Sequence, residues 1–255
     1  NSLSCFCFLV SLFIFFSNHS YGNITSDCLQ NEDVGDNAEG IDINDIDIPK
    51  AKEICELALK NDKKNIRVIR SLGRIYYQEK DYKRSLPFVI AGTEKNDAYS
   101  EYLLAQMYKH GNGVKKNPEK SFQFMNKSAS KNFKYALINI GFYFEDGIGV
   151  PVNLDIAFKK TEECAKRKII VCLYNMAIAY KEGRQNQKVD VKKFLFYVDQ
   201  LIEENYIDAY GLKGLHLLEN AKSKSDIQTG LLYCEKSKTV CTKNLILAYL
   251  FPEDL

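Results

Sequence analysis

Ser128 and Lys131 stand three residues apart. Penicillin-binding enzymes use this Ser-x-x-Lys spacing to bring a helical lysine to a serine hydroxyl for acyl transfer. The companion elements are missing here. No Ser-Asp-Asn follows, and Lys238-Thr239-Val240 lacks the glycine that the third element needs. The three histidines, His19, His110 and His216, are far apart. There is no His-Glu-x-x-His zinc motif, no Gly-x-Ser-x-Gly elbow and no Walker loop. Asp42, Asn44, Asp45 and Asp47 offer oxygens for calcium, but the turn glycine and terminal glutamate of an EF-hand are not in place. Neither a metal nor a cofactor is expected.

Cysteine is the remaining reactive type. Residues 6–16 read FCFLVSLFIFF, too short a run to span a bilayer but suited to the apolar region of a signal peptide. Ser20 and Gly22 have the spacing of a cleavage site, so residues 1–22 are expected to be removed, although the usual basic segment before the run is missing. Cys5 precedes the run, which argues against a lipid anchor there. Six cysteines then remain, Cys28, Cys55, Cys164, Cys172, Cys234 and Cys241. An even number behind an export signal points to disulfides in an oxidising compartment, with 15 pairings open.

Charge is distributed unevenly. Residues 1–49 hold eight acidic side chains and no Lys or Arg, so the remainder carries +10 to reach the total of +2. A total so near zero excludes a basic nucleic-acid coat. Residues 23–48 read as an acidic, extended arm in which IDINDIDI alternates apolar and acidic side chains.

The elements that position everything else come from a repeat. A small residue followed three positions later by a bulky one recurs as Gly73/Tyr76, Ala105/Tyr108, Gly141/Phe144, Ala177/Tyr180 and Gly214/Leu217, with a weaker Ala248/Phe251. The steps are 32, 36, 36, 37 and 34 residues. A small residue lets a neighbouring helix approach, and the bulky one a turn later fills the groove beside it. Leu72, Leu104, Ile140, Met176 and Leu247 precede most of these anchors. A two-helix unit of this length buries its apolar face only by stacking on copies of itself. The expected fold is therefore all-α, a right-handed α-solenoid of helix-turn-helix repeats of about 34–36 residues with eleven or twelve helices. The glycines of 110–114 and 146–150 are expected to end helices, and Asn117 and Asn153 to cap the next ones. Neither Gly-x-Gly follows a strand, so neither is a phosphate loop. Pro87 falls inside a second helix, where a kink is expected.

Ala136, Ile140-Gly141, Phe144, Gly147, Gly149-Val150, Asp155 and Ala157 stand in the order of the Sel-1-like repeat pattern, and the copy before them matches almost as well. Residues 98–182 thus resemble two to three Sel-1-like repeats, relatives of tetratricopeptide repeats. Residues 49–97 look like a plain tetratricopeptide unit without the glycine turn. Residues 183–255 look like degenerate repeats and a C-terminal cap. In this frame Cys164 closes one helix and Cys172 opens the next, so the two meet across a turn; Cys234 and Cys241 repeat the arrangement. This resembles the bacterial cysteine-rich secreted Sel-1-like proteins, whose successive helices are stapled this way. Cys28 and Cys55 are left to each other.

The resemblance implies an exported scaffold, periplasmic or extracellular, that binds a protein or peptide in a concave groove as a monomer without a transmembrane anchor. Some cysteine-rich relatives are catalogued as β-lactamases, so a β-lactam- or cell-wall-processing enzyme is the alternative. In a eukaryotic secretory pathway Asn23 and Asn126 would head glycosylation sequons. In tetratricopeptide-type units the first helix lines the groove. Helical phase then places Arg67, Arg70, Arg74 and Tyr77, then Tyr99, Tyr102, Gln106 and Lys109, then Tyr135, Ile138, Phe142 and Glu145 on that face. A docked arm is one further expectation, with Asp42, Asp45 or Asp47 of residues 41–48 meeting Arg67, Arg70 or Arg74; a solvated acidic linker is the other.

Overall fold

A computed structural model describes Cys28, residues 47–237 and Cys241. Eleven helices and no strand occur among the described residues. They are α1 (Ile48–Asn61), α2 (Ile66–Gln78), α3 (Tyr82–Glu94), α4 (Ala98–His110), α5 (Pro118–Ser130), α6 (Lys134–Asp146), α7 (Leu154–Ala165), α8 (Ile170–Glu182), α9 (Val191–Glu203), α10 (Asp208–Glu219) and α11 (Lys224–Lys236). This is the succession of helix pairs of an α-solenoid. The chain divides into two compact units. The first runs to Ile140 and includes Ile148–Pro151; the second comprises Gly141–Gly147 and the residues from Val152 onward. The expected signal segment, most of the expected acidic arm and the Ala248/Phe251 anchor lie outside the described residues.

Local chemistry sets the helix starts. Asp47, Asn65, Asp81, Asp97, Asn117, Asn153 and Asp190 cap α1 to α5, α7 and α9 with a side-chain oxygen that accepts from a first-turn N–H. Each such cap is worth about 1 kcal/mol over alanine. The expected caps Asn117 and Asn153 accept from Lys120 at 2.8 Å and Ile156 at 2.9 Å. Asp47 begins α1, so Ile48 opens a helix instead of closing the arm, and Cys28 has helical backbone. Pro87 lies in the interior of α3, which stays one helix from Tyr82 to Glu94.

Every anchor described falls in a first helix: Gly73 in α2, Ala105 in α4, Gly141 in α6, Ala177 in α8 and Gly214 in α10. In the first unit the partner helix meets the anchor with a small hydroxyl. Ser85 donates to the Gly73 carbonyl and Ser121 to the Ala105 carbonyl, both at 2.7 Å. In the second unit a Cβ on Gly214 would sit 2.7 Å from Cys234 Sγ and 2.9 Å from the Gly230 carbonyl oxygen, so α10 and α11 touch through glycine.

One backbone bond recurs in the turns. The capping residue of the second helix donates its N–H to the carbonyl of the aromatic three residues beyond the anchor. The pairs are Asp81 to Tyr76 (2.9 Å), Asn117 to Tyr108 (2.9 Å), Asn153 to Phe144 (2.8 Å) and Asp190 to Tyr180 (2.9 Å). The Gly-x-Gly pairs divide their work. Gly111 ends α4 in left-handed conformation (φ 79°). Gly113 (φ 69°) and Gly149 (φ 66°) press the loop onto the start of an earlier second helix: a Cβ would lie 2.8 Å from Tyr82 Cβ and 2.0 Å from the Pro118 carbonyl oxygen. Where the second glycine is lost after Gly183, Gln185 (φ 52°) and Asn186 (φ 60°) take the left-handed positions.

The first pair lacks the glycine turn, and Lys80 takes the left-handed position (φ 59°), with Lys80 and Asp81 bonding back to Tyr77 and Tyr76. This is a Schellman end in which a residue with a Cβ stands where glycine costs least. Lys80→Gly is expected to stabilise the protein by about 0.5–1 kcal/mol, read as a higher urea midpoint at unchanged slope.

Three disulfides close: Cys28 with Cys55, Cys164 with Cys172 and Cys234 with Cys241, at Cα–Cα distances of 4.9, 5.7 and 5.4 Å. The first is fully buried in the core of the first unit, with Ala51, Ala58, Val68, Leu72, Ile75 and Tyr76. The others staple α7 to α8 and fix Cys241 to α11.

Candidate binding face on the first helices

The sequence places its candidate residues on α2, α4 and α6. In the first unit the structure joins three of them, Tyr99, Tyr102 and Tyr135, through aromatic rings. Tyr99 and Tyr102 lie 6.4 Å apart by ring centroid, and Tyr102 and Tyr135 6.0 Å. Phe133 sits beneath all three, at 5.6, 5.5 and 5.6 Å from Tyr99, Tyr102 and Tyr135. Tyr102 hydrogen-bonds Gln106 one helical turn on, and Tyr77 and Tyr99 pack against the same buried cluster of Val89, Leu103, Leu104 and Met107. The Tyr77 ring packs edge-on against Tyr82 at 5.2 Å, and its hydroxyl accepts from Asn112 Nδ2 at 3.2 Å. Tyr77, Tyr99, Tyr102, Gln106 and Tyr135 therefore form one surface, with Tyr135 the most open at 41% exposed.

Burial raises the pKa of the Tyr77 and Tyr102 phenols, against a lowering pull from Asn112 on the first and Gln106 on the second. Both stay neutral at physiological pH. The face thus offers hydroxyls that donate and accept without a charge to desolvate, which suits contact with a peptide.

The three arginines assigned to this face by helical phase have different surroundings. Arg70 is engaged by Asp97: its Nε donates to Oδ1 at 2.9 Å and its Nη2 contacts the same oxygen. The Arg70 side chain is 16% exposed and that of Asp97 only 3%. Asp97 also accepts from the backbone N–H and hydroxyl of Ser100, at 2.8 and 2.7 Å. This pair ties α2 to the start of the next repeat. Arg67 is exposed; Arg74 is half-buried, and its Nη1 has no hydrogen-bond partner among the described residues. Phe142, 37% exposed, belongs to the second unit, as does Glu145, which receives Gln185 Nε2 at 2.7 Å and Arg184 Nη2 at 3.4 Å.

With Asp47 accepting from Lys50 N–H at 3.2 Å and Arg70 held by Asp97, those two members of the arm-docking set are already engaged. Asp42 and Asp45 lie outside the described residues. No metal-ligating cluster occurs among the described residues.

The Ser-x-x-Lys pair is engaged in packing. Ser128 is fully buried and donates to the Ala98 carbonyl at 2.6 Å. Lys131 donates to the Asn96 carbonyl at 2.9 Å and to Glu101 Oε1 at 2.6 Å. Both stitch the end of α5 to the start of α4, and neither serves the other as base or nucleophile.

Sequence reasoning missed Phe133, Asp97 and Glu101. They occupy the turn between repeats and the turn of helix after it, which the anchor spacing does not inspect. Aligning the turns finds them: Asp97 stands where later copies have Phe133, Ile169 and Tyr206.

Residues 98–133 and 134–159 match the family model for the Sel1 repeat. Residues 98–159 are Sel1 repeats. They begin where α4 begins, and they contain both Gly-x-Gly turns. No curated protein matches the chain. Among solved structures, the chain is similar to a Sel1 repeat protein from Oxalobacter formigenes at 23% identity and a TM-score of 0.59, over 73% of this chain and 77% of that one. It is also similar to c5321, a protective antigen present in uropathogenic Escherichia coli strains displaying an SLR fold, at 18% identity and a TM-score of 0.63. That second match covers 80% of this chain and 45% of the other, so this chain spans less than half the length of that relative. These likenesses establish the fold as that of Sel1-repeat proteins. Among the described residues no helix is long and apolar enough to cross a membrane.

Proposed function

We propose that the protein is an exported, monomeric scaffold that binds a protein or peptide on the first-helix face of its first unit. The observation that carries this reading is the joined surface of Tyr77, Tyr99, Tyr102, Gln106 and Tyr135. Tyrosines held by their neighbours lose little freedom on binding, and such residues dominate interface energetics. Export is supported by the apolar run of residues 6–16 and by the three disulfides. The engaged state of Ser128 and Lys131 speaks for a scaffold over an acyl-transfer enzyme.

The test is a comparative pull-down from the native extracellular or periplasmic fraction, followed by titration of the captured protein. Tyr135→Ala is expected to weaken that complex about thirtyfold without changing the melting curve. Phe196→Ala, which removes an exposed ring on α9 (59% exposed), should leave binding intact. Equal binding by wild type and Tyr135→Ala would remove the assignment.

A further inference from the structure

An open depression of about 370 Å³ lies between α1, α2 and α3 of the first unit, and none of its residues belongs to the tyrosine surface. Ile69 of α2 is its floor, 7% exposed. Leu59 of α1 forms one side, and Pro87, Phe88 and Ala91 of α3 form the other. Leu59 and Phe88 pack against the core cluster that holds Cys28 and Cys55, so these walls are fixed. Lys60 and Lys63 complete the lining. Both are exposed, and neither makes an ion pair among the described residues.

The next helix pair shows how this opening arises. Ser85 and Ser121 make the same bond to their anchor carbonyls, so positions counted from them correspond. Three residues on, Phe88 stacks on Tyr76 at 5.7 Å and Phe124 on Tyr108 at 5.9 Å. Six residues on, Lys127 lies over the Phe124 ring at 5.3 Å, whereas Ala91 has no side chain long enough to cover Phe88. Two residues on, Pro87 stands where the next pair has Gln123. Four residues before the anchors, Ile69 stands where the next pair has Glu101 with its partner Lys131. Three polar or charged positions have therefore become apolar in the first pair, and the surface they leave open is one that a ligand would cover.

The lining also has a direction. Its two charges come from α1 and the residues just after it, and the α2 and α3 sides are apolar. A cleft of this size, mostly apolar with a few charged groups, has the form of a small-molecule site. Its volume is that of about twelve waters; a methylene group occupies nearly as much as a water, so a chain of about eight carbons fits together with its head group.

We propose that this depression binds a small amphiphilic anion. An aliphatic chain of medium length lies against Ile69, Pro87 and Phe88, and its terminal carboxylate accepts from Lys60 and Lys63.

The experiment is isothermal titration and thermal shift of the full, oxidised chain with octanoate at up to about 10 mM. Octylammonium supplies the same chain with the opposite charge, and acetate the charge without the chain. Octanoate is expected to bind saturably and at least about tenfold more tightly than either probe. Ala91→Glu puts a carboxylate on the α3 wall, where glutamate is a good helix former, and should abolish binding at unchanged melting temperature. Lys60→Ala and Lys63→Ala together, at exposed positions, should weaken octanoate about fivefold and keep the fold. Sedimentation equilibrium of wild type and Ala91→Glu covers another occupant, a second copy of the chain. Self-association lost in the variant would give the depression to that copy and overturn the proposal. So would an absence of octanoate binding, octylammonium binding as tightly, or octanoate binding by either folded variant as by wild type.

Discussion

Gly149→Ala is expected to destabilise the first unit by at least about 3 kcal/mol, while Gly111→Ala costs only about 1–2. Both glycines have left-handed backbone, at φ 66° and φ 79°, so both substitutions carry the same conformational penalty. They differ in what a methyl group would meet. At Gly111 the nearest atom is Lys116 Cβ at 3.4 Å, an ordinary contact with a flexible side chain. At Gly149 the Pro118 carbonyl oxygen lies at 2.0 Å and its carbon at 2.3 Å. Backbone at the start of α5 cannot yield without disturbing the Asn117 cap. Urea unfolding of the two variants side by side is the measurement. Equal losses would mean that Gly149 is needed only for its backbone angle and that the approach to α5 is unimportant.

Asp97→Ala is expected to cost about 3–5 kcal/mol, the range for breaking a buried ion pair from one side. The loss has three sources: Arg70 left without its carboxylate, α4 without its cap, and the Ser100 hydroxyl without its acceptor. Asp97→Asn separates them, because asparagine caps helices as well as aspartate does but brings no charge. It should fall between wild type and Asp97→Ala. A double-mutant cycle with Arg70→Met isolates the coupling. Additive losses would show that the pair contributes nothing beyond its separate parts. This position also bears on how the binding face is probed: reversing Arg70 would break a joint between repeats, so Tyr135 is the cleaner reporter.

Much of the architecture was legible because it repeats. The spacing of small and bulky residues located five first helices, since a packing rule applied every 36 residues or so leaves a periodic trace. Asn117 and Asn153 were legible as caps for the same reason. The tyrosines could be assigned to one face by helical phase alone. What phase cannot tell is whether a side chain on that face is already engaged. Arg70 looked like a surface cation because its partner, Asp97, lies in the following turn, and turns carry no period. Ser128 and Lys131 matched a catalytic spacing for a related reason: a helix end that must fasten to its neighbour uses short hydroxyls and long ammonium groups, the residue types acyl-transfer enzymes use. The Lys80 turn was hidden because it does without the glycine that marks its counterparts.

In the first four pairs the bond between the second-helix cap and the aromatic carbonyl makes the repeat tolerant of length. Asp81 lies five positions after Tyr76, Asn117 and Asn153 nine after Tyr108 and Phe144, and Asp190 ten after Tyr180, yet each delivers its N–H to the same acceptor. The two helices of a pair are thus held in register by a clasp at the base of the loop, whatever the loop contains. Residues can be gained or lost beyond that clasp without re-registering the helices. This makes the inter-helix loops the places where such a chain can diversify while its packing stays constant.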